Sequence, residues 1–134
     1  MSIEQIHPDV ALVPLMRRIV ADDVHVHLYS NDFTPDKDTE LADLDTFPLS
    51  GGYAVITVAA ADFVLSNVSG HRGVLMALPV TFTFSNALGP AYGYYVTDTT
   101  DTDLLTVARF DGAPLDGEDG VTVWPAFGDS SLYP

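Results

Sequence analysis

From residue 23 onward the apolar residues of this chain recur at every second position, and that alternation limits the fold more than any other feature. In residues 23–29, Val24, Val26 and Leu28 fall on one side and His25, His27 and Tyr29 on the other, the pattern of a half-buried strand. Residues 79–84 alternate again, with Val80, Phe82 and Phe84 on one face and Thr81 and Thr83 on the other. Further strands are expected over residues 53–59, 62–68, 74–85, 91–97, 104–111 and 121–127. Gly51-Gly52, Ser69-Gly70, Gly89-Pro90, Asp111-Gly112 and Asp116-Gly117 supply turn chemistry between them. Short strands spaced by turns predict a mainly β fold, an antiparallel β-sandwich or jelly-roll-like domain, and not a parallel α/β sheet. The expected core is Val24, Val26, Leu28, Val55, Phe63, Val80, Phe82, Phe84, Val96, Leu105, Phe110, Val121 and Val123.

Before residue 23 the period is different. Pro14 suits the first turn of a short helix, and Leu15, Met16, Ile19 and Val20 then repeat at helical spacing, with Arg17 and Arg18 off that face. The chain therefore divides into an N-terminal arm with a short helix, residues 1–22, and a β-domain, residues 23–134. The apolar stripe of Leu15, Met16, Ile19 and Val20 can pack on its own domain or on a neighbouring subunit. Residues 30–45 read as a long polar loop, broken by Pro35 and carrying five carboxylates between Asp36 and Asp45.

The length of 134 residues is that of one domain with one real core. A hydrophobic fraction of 47% argues against intrinsic disorder. Five Lys and Arg against nineteen Asp and Glu give a formal net charge of -14. Nothing in that composition builds a basic face for phosphate, so no nucleic-acid binding is expected, and anionic lipid headgroups are repelled by the same field. No run of the sequence approaches a membrane span, and no basic segment followed by an apolar stretch marks a signal peptide. The chain has no cysteine, which excludes disulfides and thiolate metal sites.

Candidate chemistry is sparse. His25 and His27 form a His-x-His on one strand face, a spacing at which two imidazoles can share a metal as in cupin-type sites, with Glu40, His7 or His71 as nominal completing ligands. The plainer reading is two half-exposed histidines on a polar face, and no metal or cofactor is expected. The acidic groups Asp32-Asp36-Asp38-Glu40, Asp98-Asp101-Asp103 and Asp116-Glu118-Asp119 suit Ca²⁺ in ligand type, but none follows the EF-hand order, and solvated loop charge is the simpler account. There is no nucleophile elbow and no phosphate loop, so no enzymatic activity is expected. Tyr92, Tyr94, Tyr95 and Trp124 can stack on sugars, although Tyr92, Tyr94 and Val96 sharing one strand face favours packing.

Three blocks together resemble a family of small structural proteins of tailed-phage particles. The first is His27-Leu28-Tyr29-Ser30-Asn31-Asp32-Phe33-Thr34-Pro35, continuing through Leu41-Ala42-Asp43 to Gly52-Tyr53-Ala54. The second is Tyr92-Gly93-Tyr94-Tyr95-Val96-Thr97-Asp98. The third is Arg109-Phe110-Asp111, followed by Val121-Thr122-Val123 and Pro125. Order and spacing agree from about His27 to Phe127. Where the family commonly has a Glu before the Arg-Phe pair, this chain has Ala108, so Arg109 needs another partner.

The resemblance implies a virion protein made in the host cytoplasm, with a capsid decoration or cement role, or another place on the particle surface. It implies the major capsid protein or another virion protein as partner. A symmetric homo-oligomer is expected from the apolar arm, and a trimer from the decoration analogy. The alternative is a host-glycan-binding module on a fibre or spike tip.

Overall fold

The structure is a computed structural model that describes residues 22–68, 71–76 and 78–127. The expected helix with Leu15, Met16, Ile19 and Val20 lies outside the described residues. Among those described, the chain forms β1 (Val24–Tyr29), β2 (Ile56–Val58), β3 (Val64–Val68), β4 (His71–Met76), β5 (Val80–Phe82), β6 (Gly93–Asp98), β7 (Leu104–Arg109), β8 (Val121–Val123) and β9 (Ala126–Phe127). They make a four-stranded sheet in the order β2-β1-β6-β7, a three-stranded sheet β3-β4-β9 and a two-stranded pair β5-β8. Every pairing is antiparallel, as the alternation predicts.

The four-stranded sheet and the β5-β8 pair close over one core. Val24, Val26 and Leu28 of β1 and Tyr94 and Val96 of β6 meet Phe82 of β5 and Val121 and Val123 of β8. Phe47, Tyr53 and Phe84 come from the connections and fill the middle. Phe84 stands 4.7 Å from Phe47 and 5.7 Å from Tyr53 between ring centroids. Tyr53 has a second duty. β2 pairs with β1 only as far as Val26, so the Leu28 N–H on that edge has no strand to meet, and it donates instead to the Tyr53 hydroxyl at 3.1 Å.

Several expectations need correction. Residues 74–85 are not one strand, nor are residues 121–127. Each run breaks at a proline, Pro79 and Pro125, which lacks the N–H a ladder needs. The two breaks face each other: β4 pairs with β9 in one sheet, β5 with β8 in the other. Met76 pairs with Ala126, so an unbroken ladder would set Val80 against Thr122; it faces Val123 instead, a slip of one residue at the corner. The strand expected over residues 53–59 is shorter, β2 alone, which leaves Val55 half-buried beside a cavity. Val80, Leu105 and Phe110 are also half-buried, packed on the margin of the core.

The β1 face carrying His25, His27 and Tyr29 is not a polar surface: Tyr29 is fully buried and His27 is 6% exposed. The polar loop after β1 folds back over it. Phe33, Leu41 and Leu44 of that loop pack against Tyr29 and Tyr95. Asn31 holds the loop closed, donating through Nδ2 to the Asp43 carbonyl and accepting from the Asp45 N–H, both at 2.9 Å. Ser30 N donates to the Asp45 carbonyl at 2.8 Å. Asp32 reaches Arg109 at the end of β7, at 2.6 Å, supplying the partner that Ala108 does not. Among the described residues Arg109 Nη1 has no aligned hydrogen-bond partner, so its contact with Asp32 is one of charge on charge. The guanidinium also sits 5.5 Å over the Tyr92 ring.

Candidate functional site

The covered face of the four-stranded sheet brings the two strand histidines to a carboxylate. β1 runs antiparallel to β6 with His25 opposite Thr97 and His27 opposite Tyr95. The turn from β6 into β7 then returns Asp101 over both imidazoles. Asp101 Oδ1 lies 2.8 Å from His25 Nδ1 and 3.1 Å from His27 Nε2. Thr97 completes the group: its hydroxyl donates to Asp101 Oδ1 at 2.8 Å and lies 2.9 Å from His27 Nε2.

Each side chain is held by local structure. The His27 ring stacks flat on Tyr95, with centroids 4.5 Å apart and planes 2° apart. Asp101 adopts a left-handed backbone, φ 56°, which Asp tolerates better than most residues. Asp98 pins the turn, its carboxylate accepting from the Thr102 N–H at 2.9 Å, the Asp103 N–H at 3.1 Å and the Thr100 hydroxyl at 2.6 Å. Those bonds, the one from Thr100 foremost, hold the Asp98 carboxyl below the usual carboxylate range.

Electrostatics follow the same geometry. Burial lowers the His27 imidazole below its ordinary value, against the pull of Asp101, and the neighbouring His25 adds to the lowering. Partial burial opposes ionisation of Asp101, but the hydrogen bonds from His25 and Thr97 and the charges of both imidazoles outweigh it and lower its value. Beside the cluster is a cavity of about 360 Å³, lined by His27, Thr97 and Asp101 on one side and by Leu41, Phe47 and Val55 among others.

One ring nitrogen each from His25 and His27 and an Asp101 oxygen lie within 4.8 Å of one another, two imidazoles and a carboxylate able to face one ion. Of the completing ligands expected from sequence, Glu40 is exposed and outside this cluster. His7 and the His71 side chain lie outside what the structure describes. Asp101 was visible only as one member of an acidic loop; its role depends on the β1-β6 register.

The other acidic residues mostly serve their own turns. Asp36 Oδ1 accepts from the Asp38 N–H at 2.8 Å, Asp43 Oδ2 from the Glu40 N–H at 2.9 Å, and Asp116 Oδ1 from the Glu118 N–H at 2.9 Å. The four candidate sugar-stacking aromatics do not share a surface. Tyr94 and Tyr95 are buried in different clusters, and Trp124 is 55% exposed. Tyr92 does not share the Tyr94 face; it precedes β6 and packs with Tyr29 and Tyr95.

The buried phenols give a pH dependence. Burial raises Tyr29 to about 12, with Arg109 pulling it down and Asp32 pushing it up. Tyr53 and Tyr95 are raised for the same first reason. In the unfolded chain a phenol ionises near pH 10, so above that the unfolded state binds fewer protons than the native one. The contribution of these phenols to stability is full below about pH 10 and is lost progressively as pH rises toward the folded values. Tyrosinate absorbance from these three residues is expected to appear together with loss of circular dichroism. Smooth ionisation of all tyrosines with the fold intact would contradict their burial.

No family model, no curated protein and no solved structure matches this chain.

Proposed function

We propose that this chain is a non-enzymatic structural component of a tailed-phage particle, most simply a decoration or cement subunit docked on the major capsid protein. The observation that supports the reading is the use made of the residues that carry the resemblance. Tyr29, Asn31 and Asp32 of the first block, Tyr92 of the second and Arg109 of the third meet in the strap that fastens the loop to the sheet. Three of them are engaged within the strap itself: Asn31 by Asp43 and Asp45, Asp32 by the charge of Arg109, and the Tyr29 hydroxyl by the Phe33 carbonyl at 3.1 Å. A pattern made of shape-holding residues fits a part in an assembly better than a reaction. The charge of -14 favours a basic or neutral docking surface.

In this reading the protein is made in the host cytoplasm and ends in the virion as a homo-oligomer, a trimer by the decoration analogy. No helix among the described residues is long and apolar enough to cross a membrane. Quantitative mass spectrometry of purified particles is expected to find the chain in many copies. Purified protein is expected to sediment with particles stripped of it, and light scattering to give three times the chain mass. Absence from intact particles, with failure to sediment with stripped ones, overturns the assignment; a monomeric mass overturns the trimer alone.

A further inference from the structure

We propose that His25, His27 and Asp101 form a binding site for a divalent transition-metal ion of the Zn²⁺ class, with an open coordination position toward the adjoining cavity. The donor set decides the class of ion. Two imidazole nitrogens and one carboxylate oxygen are the ligands zinc-type ions take, whereas Ca²⁺ and Mg²⁺ require shells built of oxygen. Two of the separations are close to those of a metal shell. Tetrahedral ligands at zinc distances stand about 3.3 Å apart. Asp101 Oδ1 is already 2.8 Å from His25 Nδ1 and 3.1 Å from His27 Nε2, and the three donor groups lie within 4.8 Å of one another.

Rigidity is the second argument. Both histidines project from one face of a central strand that is paired with β6 along its whole length and with β2 as far as Val26. His27 cannot swing away, because it is buried and stacked on Tyr95. Thr97, itself fully buried, donates to Asp101 Oδ1, the kind of supporting hydrogen bond that orients a metal ligand, while its contact with His27 Nε2 would give way to the ion. Asp101 is delivered by a turn that Asp98 pins from within. Charge is drawn together here as well. Asp101 Oδ1 gathers contacts from both imidazoles and a hydroxyl, the point on which the three side chains converge.

Access is the third. The Asp101 side chain is 51% exposed, which leaves a path from solvent, and the cavity of about 360 Å³ beside His27 and Asp101 has room for waters to complete the shell. Three protein ligands with a free position distinguish this site from a closed structural one. An ion bound there would tie β1 to the β6-β7 turn. The proposal is independent of the particle role.

The test uses the full chain without a polyhistidine tag, treated with chelator, near neutral pH so that the ligands are deprotonated. Calorimetric titration with Zn²⁺ is expected to give one saturable site per chain, Co²⁺ to give visible absorption of a low-coordinate ion, and Mg²⁺ or Ca²⁺ not to compete. His25→Ala and Asp101→Asn are each expected to weaken Zn²⁺ by about tenfold or more, and Thr97→Val by a comparable factor. Asn tolerates the left-handed backbone at position 101, so Asp101→Asn keeps the turn, and circular dichroism checks the fold of each variant. A His7→Ala/His71→Ala variant is expected to bind as the wild type does. No saturable site, or wild-type affinity in both His25→Ala and Asp101→Asn, overturns the proposal. So does binding abolished by the His7→Ala/His71→Ala change while His25→Ala and Asp101→Asn retain it.

Discussion

Replacing Gly93 with alanine is expected to cost about 3 kcal/mol or more and to lower the denaturant midpoint accordingly. Gly93 opens β6 and sits between Tyr29 of β1 and Arg109 of β7. Its missing side chain is the space the Tyr29 ring occupies. A Cβ at this position would fall inside contact distance of the Tyr29 ring and hydroxyl and of the Ala108 carbonyl oxygen. Overpacking in a core ordinarily costs about 1–3 kcal/mol, because side chains can shift. Here one obstacle is backbone within a paired strand, and the other is a fully buried ring whose hydroxyl is already bonded to Phe33. A loss of that size is a large share of the roughly 5–15 kcal/mol that holds a domain together. Equilibrium unfolding in urea measures it. A midpoint equal to the wild type would mean that Tyr29 does not lie over Gly93 in solution.

That close approach could not be read from the sequence, although its parts could. The alternation of residues 23–29 and 79–84 told which side chains share a face, and Val24, Val26, Leu28, Phe82 and Phe84 are buried together as expected. Alternation does not say whether the opposite face meets water. The loop after β1 looks solvated because its carboxylates outnumber its apolar residues, yet Phe33, Leu41 and Leu44 suffice to cover Tyr29 and Tyr95. Their spacing follows the path of a loop and has no period to detect. The corner at Pro79 and Pro125 was legible in principle, since a proline cannot sit in a central ladder; the facing of the two breaks needed the pairing.

The metal-type cluster divides in the same way. His25 and His27 were visible as a spaced pair, and Asp101 as one carboxylate among many. Only the β1-β6 register joins them, across 76 residues between His25 and Asp101. Sequence order 2-1-6-7 in the sheet puts such contacts beyond any local pattern. Tyr53 is a similar case: the resemblance singles it out, but its work at the Leu28 N–H follows from β2 stopping short.

Phe82→Ala is expected to destabilise the fold by about 3–5 kcal/mol, more than the removal of its aromatic contacts alone suggests. Phe82 is 3% exposed and lies 5.9 Å from Tyr53 between ring centroids. The strand it belongs to has three residues and, among the described residues, pairs only with β8, itself three residues long. A two-stranded pair is marginal in water by itself, so β5-β8 stays in place through what it buries in the core: Phe82, Val121 and Val123. Truncating Phe82 leaves a cavity and also loosens the closure of one side of the sandwich. Its neighbour provides the control. Thr81 faces outward and meets Thr122 hydroxyl to hydroxyl at 2.9 Å, a cross-strand pair worth about 0.2–1 kcal/mol. Thr81→Ala is therefore expected to cost about 1 kcal/mol or less. A slip of one residue in β5 would exchange the two faces and invert that order. Chemical denaturation of both variants reads the register directly: a Thr81→Ala loss equal to or larger than that of Phe82→Ala would place the wrong face of β5 in the core.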